Sequence, residues 1–248
     1  MNEPLIGRPT KVVEARLYDV ASRFDRSRFD SISRTTLQVL RSLMLVILIG
    51  IYLASFFMQP FYVHYVYVTY WALHFSFIAL LLSMTAATDK HNLSLREWSL
   101  ITTELAMTLT IVSALFYWAI VRDDLYQNYD WGIKQDKYFI IFLSFLHLGP
   151  LFITFFNFLL SDVSFLTRDV GLIILFGIAY VIFNFLVSKL SGVPIYPFIT
   201  WYNVKSFVSA IVFILVLGGI FMFLVAFSSV LPRKEVHYHH DPDSRINL

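Results

Sequence analysis

Polar and apolar positions alternate along this chain on the scale of whole segments. Six runs of about 20 apolar residues are separated by short clusters of charged and turn-forming residues, and at about 1.5 Å of rise per residue each run is long enough to cross a bilayer as an α-helix. The runs fall at roughly 37–58, 66–86, 99–121, 138–160, 170–188 and 205–231. This pattern predicts an all-α polytopic membrane protein. One transmembrane domain of six helices in a single bundle covers roughly 37–231, between a leader over 1–36 and a tail over 232–248. In the leader, Val13, Leu17, Val20 and Phe24 recur at helical spacing with Arg16, Asp19 and Arg23 between them. They predict a short N-terminal amphipathic helix, either lying in the headgroup region or docked on the bundle.

Composition agrees with the segment pattern. Hydrophobic residues make up 58% and charged residues 15% of the chain, and the mean hydropathy is +0.67. Cysteine is absent, which excludes disulfides, thiolate nucleophiles and cysteine-ligated metals or clusters. The polar leader carries Glu14, Asp19, Asp25 and Asp30, unlike an acid-poor presequence, so the first span is expected to act as its own insertion signal.

Charge sets the expected topology. Six spans put both termini on one side, and the leader, second loop, fourth loop and tail, with the span ends beside them, hold fourteen Lys and Arg. The opposite loops hold five: Arg122, Lys134, Lys137, Lys189 and Lys205. The positive-inside rule then places both termini in the cytoplasm and the first, third and fifth loops in the lumen or exterior. An endomembrane such as the endoplasmic reticulum is the expected location, with the mitochondrial inner membrane as the alternative. A net charge of +2 offers no nucleic-acid surface, and membrane lipids are the expected contacts.

Ionisable and hydrogen-bonding groups inside spans carry the functional reading, because they are costly there. Thr69 stands just inside the second span. His147 enters the fourth span from the same side, about 9 residues or 13 Å down, so the two differ in depth by about 8 Å on ideal geometry and need a later start to span four or a tilt to meet. The Gly149–Pro150 pair after His147 can kink the helix and open room beside the imidazole. Asn184 lies near the same end of span five, with Tyr196 and Trp201 in the following loop as pocket or orienting candidates; His74 falls on another face of its helix and reads as a core or interfacial histidine. At the other end, Arg41 and Glu104 share a depth and are expected to form a structural ion pair, with a proton path as the sharper alternative for Glu104.

"VYVTYWALHF" around Thr69, "NLSLREW" at 92–98, "LHLGPLFITFFNFLLSD" from Leu146 and "PIYPFITW" in the last loop together resemble the androgen-induced and rolling stone-like family of six-span membrane proteins. The four motifs occur in order and cover most of the chain from the second span to the sixth. The resemblance implies a threonine hydrolase of fatty acid esters of hydroxy fatty acids. Thr69 would be its nucleophile and His147 its base, with no cofactor and no metal. An imidazole beside a threonine hydroxyl suits that chemistry, since it accepts the proton as the oxygen attacks an ester carbonyl. No acidic third member is evident, and Asn184 or a backbone carbonyl is left to orient the imidazole.

A different class of function competes with the hydrolase: a non-catalytic, lipid-contacting accessory subunit of a larger membrane assembly, with protein partners engaged through the termini. A transporter or channel is a weaker option, because the spans lack a series of ionisable groups and paired broken helices. In the tail, His237, His239, His240, Asp241 and Asp243 are spaced for no more than weak, promiscuous metal binding, and a solvated tail is expected.

Overall fold

The computed structural model describes residues 22–89, 91–123, 134–196 and 199–232. In chain order the elements are β1 (Ser22–Ser27), α1 (Arg34–Met58), the single turn α2 (Val63–Val66), α3 (Val68–Thr88) and α4 (Leu93–Phe116), which runs on into a π-helical turn, Tyr117–Val121. Then come α5 (Lys134–Leu160), β2 (Ser161–Val163), a 3₁₀ turn (Thr167–Asp169), α6 (Val170–Ser191) and α7 (Val204–Val230). Six of the helices are long and apolar enough to cross a membrane, as the segment pattern predicts. The largest difference is at the start of the third span, placed at 99 by hydropathy and at Leu93 in the structure. The Asn92 side chain caps the Leu95 N–H there, so the helix begins with a polar turn that a hydropathy window does not count.

Helix α4 is the hub. In its most apolar window 61% of residues are buried inside the protein, against 17% for α1, which presents most of its surface outward. Six of the fifteen buried residues of α4 carry small hydroxyl side chains, among them Thr103, Thr108, Thr110 and Ser113, which let neighbouring backbones approach closely. Two glycines serve the same purpose at single points. A Cβ on Gly149 of α5 would stand 2.6 Å from Ile51 of α1, and one on Gly177 of α6 would stand 2.7 Å from Leu217 of α7. Pro150 sits inside α5, which continues through it as helix.

The end of the bundle away from Thr69 is closed by an antiparallel pairing of β1 with β2. Phe24 therefore lies in a strand, fully buried, and is not the last position of an amphipathic helix; the rest of that predicted helix lies outside the described residues, as does the tail with its histidines. The strand also changes the expected ion pair. Arg41 is fully buried, and its guanidinium donates to Asn157 Oδ1 at 2.9 Å, to the Phe24 carbonyl at 2.8 Å and to Ser161 Oγ at 2.7 Å. Glu104 faces the α5–α6 connection and accepts the Leu166 N–H at 2.7 Å. No ion pair joins Arg41 to Glu104 among the described residues. Equal depth brings two side chains together only when their helix faces also meet, and a span's sequence fixes the first alone.

Candidate functional site

Thr69 and His147 meet. Thr69 Oγ1 lies 3.1 Å from His147 Nε2, although span four starts no later than expected, at Lys137. Instead α3 begins deep in the bundle. Thr69 is the second residue of α3, yet α4 and its π-turn run eight residues beyond Ser113, which touches Thr69, and the α5 span begins ten residues before His147. The helix rise puts the Thr69 level about 12–15 Å inside the ends of those two helices. The chain between α1 and α3 is helical only over Val63–Val66, and it fills the missing length.

This recessed start frees the Thr69 hydroxyl. Elsewhere in the bundle hydroxyls bond back to a carbonyl one turn earlier, as Ser76 does to Ala72, Ser83 to Ala79 and Thr108 to Glu104, the usual state of Ser and Thr in spans. Thr69 has almost no preceding helix to bond to. Its oxygen accepts the Ser113 hydroxyl at 2.9 Å, and its proton points to the imidazole.

The other ring nitrogen fixes the tautomer. His147 Nδ1 lies 2.7 Å from the Leu143 carbonyl, a pure acceptor, so Nδ1 carries the hydrogen and Nε2 offers its lone pair to Thr69. The Tyr117 ring stacks on the imidazole at 4.0 Å between centroids and 14° between planes, holding it in place. The backbone carbonyl of Leu143, one turn away on α5, thus takes the orienting role, and Asn184 does not. Asn184 Oδ1 accepts Trp201 Nε1–H at 2.9 Å, while Nδ2 is buried with no hydrogen-bond acceptor in range among the described residues.

Thr69, His147, Asn184, Tyr196 and Trp201 all line one cavity of about 1010 Å³, at the large end of the range for ligand sites. Tyr196 does more than line it. Its hydroxyl accepts the Val68 N–H at 3.1 Å and lies 3.0 Å from the Tyr180 hydroxyl, which donates to the Val66 carbonyl at 3.0 Å. Tyr180 spends its proton on Val66, so Tyr196 donates to Tyr180. The pair grips the backbone just before the nucleophile candidate. Burial, offset in part by the Val68 N–H that its oxygen accepts, pushes the Tyr196 phenol up to about 12, and it stays protonated. Trp201 has φ of 62°, strained for a residue with a bulky side chain, and is held there by its N–H to Ser206 Oγ at 3.0 Å and by Asn184. His74 belongs to a separate cluster, bonded to the Tyr52 hydroxyl at 2.9 Å.

Ser113, Tyr117 and Tyr180 complete the site and were not singled out from the sequence. Tyr180 had one available signal: it stands one turn before Asn184 and so shares its helix face. Compared with protein families, characterised proteins and solved structures, the chain matches none.

Proposed function

We propose that the protein is an intramembrane hydrolase of lipid esters, with Thr69 as nucleophile and His147 as general base. The supporting observation is the ordered relay from the Thr69 hydroxyl to His147 Nε2, with Nδ1–H held on Leu143 O, opening on a large and mostly apolar cavity. Thr69 Oγ1 attacks the ester carbonyl carbon while Nε2 takes its proton. The tetrahedral intermediate then expels the alkoxide, which leaves as the alcohol with the proton from Nε2. Water, deprotonated by the same nitrogen, attacks the acyl-threonine; the carboxylic acid leaves and Oγ1 recovers its proton. Ser113 donates to Oγ1 in the resting site and is the nearest hydroxyl to turn towards the oxyanion.

The resemblance to the androgen-induced and rolling stone-like proteins supports the same reading, and the distribution of Lys and Arg supports cytoplasmic termini, a site in the luminal half of the bilayer and an endomembrane location. Purified protein in liposomes is expected to hydrolyse long-chain acyl esters. Thr69→Ala and His147→Ala should each remove most of that activity with thermal stability retained, and the double variant should be little worse than either, because the two act as a unit. Thr69→Ser should keep some turnover and Thr69→Val none. Full activity in Thr69→Val would end this reading, and inactivity towards every ester, with co-purification of a stable complex, would favour an accessory subunit.

A further inference from the structure

Building on the hydrolase reading, we infer that Asn184 is a second anchor for the substrate: its Nδ2–H donates to an acceptor oxygen of the lipid ester other than the carbonyl that Thr69 attacks. The ligand class is an acyl ester that carries a further oxygen group on the same molecule.

The Asn184 side chain is buried, the residue being 2% exposed, and it lines the same cavity as Thr69 and His147. Its orientation is not free. The indole Nε1–H of Trp201 can only donate, so the end of the amide that meets it is Oδ1; the reverse amide would set one N–H against another. Trp201 is in turn fixed by its backbone N–H on Ser206 Oγ at a φ of 62°, and backbone strain of that kind clusters around ligand sites. The N–H groups of Nδ2 therefore point in a set direction, and among the described residues no acceptor takes them. The Tyr180 hydroxyl, one turn earlier on α6, interacts with the amide but is not placed to hydrogen-bond its nitrogen. A buried donor left in this state is costly, and an oxygen brought into the cavity by a ligand removes that cost.

The reacting carbonyl is not that oxygen. Thr69 Oγ1 is met by Ser113 of α4 and His147 of α5, whereas Asn184 stands on α6. Between α6 and the backbone before Thr69 lie the Tyr180 and Tyr196 hydroxyls, already engaged with the Val66 carbonyl, the Val68 N–H and each other. An ester seated in the cavity thus meets a nucleophile at one place and a fixed amide donor at another. That donor serves a neutral carbonyl oxygen and a carboxylate oxygen alike.

The test is equilibrium binding in detergent to the Thr69→Ala protein, which consumes no probe. The probes are oleate esters of unbranched alcohols of about four to ten carbons, each made in three forms that end in a methyl group, a methyl ketone or a carboxylate. At one or more lengths an oxygen-ended ester should bind about tenfold more tightly than the methyl-ended ester of the same length. A ketone that binds at least as well as the carboxylate identifies a neutral oxygen as the partner, and a tighter carboxylate identifies an acid group. Asn184→Leu in the same background should bring the ratio to within about twofold of unity. If that protein does not fold, Asn184→Leu with Trp201→Phe, which removes the indole N–H together with its acceptor and leaves neither unpaired, decides in its place. Oxygen-ended esters no better than methyl-ended ones at every length, no binding of any probe, or a preference that survives in the folded variant would overturn the inference. Failure of the hydrolase reading looks different: the preference and its dependence on Asn184 persist, while protein carrying Thr69 hydrolyses none of the probes.

Discussion

The Thr69 hydroxyl owes its availability to position more than to residue type. A threonine one turn further along α3 has a carbonyl behind it to bond, as Ser76 does, whereas the second residue of a helix does not. Tyr196 is the residue that holds this position from outside α3, and its titration gives a test. The folded phenol is pushed up to about 12, above its ordinary value near 10, so the folded state holds the proton more tightly than the unfolded chain. The stability this lends is complete below about pH 10 and is lost as pH climbs from there towards 12. Thermal unfolding of Tyr196→Phe in detergent should therefore fall less steeply than wild type across that window; parallel curves would show that Tyr196 does not carry the effect.

Among the elements, the spans were the most legible part of the sequence and the helix faces the least. Apolar length locates a span whatever it packs against, so the six helices could be read directly. The short β-ribbon could not: "SRFDRS" is mostly charged or hydroxylated, its partner strand is only three residues long, and the pairing joins residues more than 130 positions apart. Thr69 and His147 were recognisable through their motifs, but the recess that unites them depends on where α3 begins, which hydropathy leaves open by several residues. The Arg41–Glu104 expectation failed for the complementary reason, since β1 supplies the acceptors for Arg41. That difference is measurable. Arg41→Met leaves the Phe24 carbonyl and Asn157 without their buried donor and should cost about 3 kcal/mol, while Glu104→Gln acts on a different set of partners. In the double variant the two losses should add to within about 0.5 kcal/mol. A double variant much more stable than the sum would mean that the two side chains are coupled after all.

Across the whole molecule, orientation is the property that positions the site relative to the cell. The chain contains no cysteine, so single introduced cysteines report accessibility without background. Ser191, exposed at the end of α6, lies on the same side of the bundle as Thr69, and Ser244 belongs to the tail. With cytoplasmic termini, Ser191→Cys should react with an impermeant thiol reagent only from the luminal side and Ser244→Cys only from the cytosolic side. The reverse pattern would move the site to the cytoplasmic leaflet.

The recessed start of α3 also bears on how the hydrolase proposed for this chain could act inside lipid. Its solvent is made of esters, and glycerophospholipids surround it at concentrations no scarce substrate can match. Those esters sit beside the headgroups, near the outer ends of the helices, whereas the Thr69 oxygen works about 12–15 Å further in. A phospholipid would have to drag its ionised headgroup down that distance to be cut, while a molecule without one can already lie at that level. On the proposed hydrolase reading, depth alone would spare the host membrane.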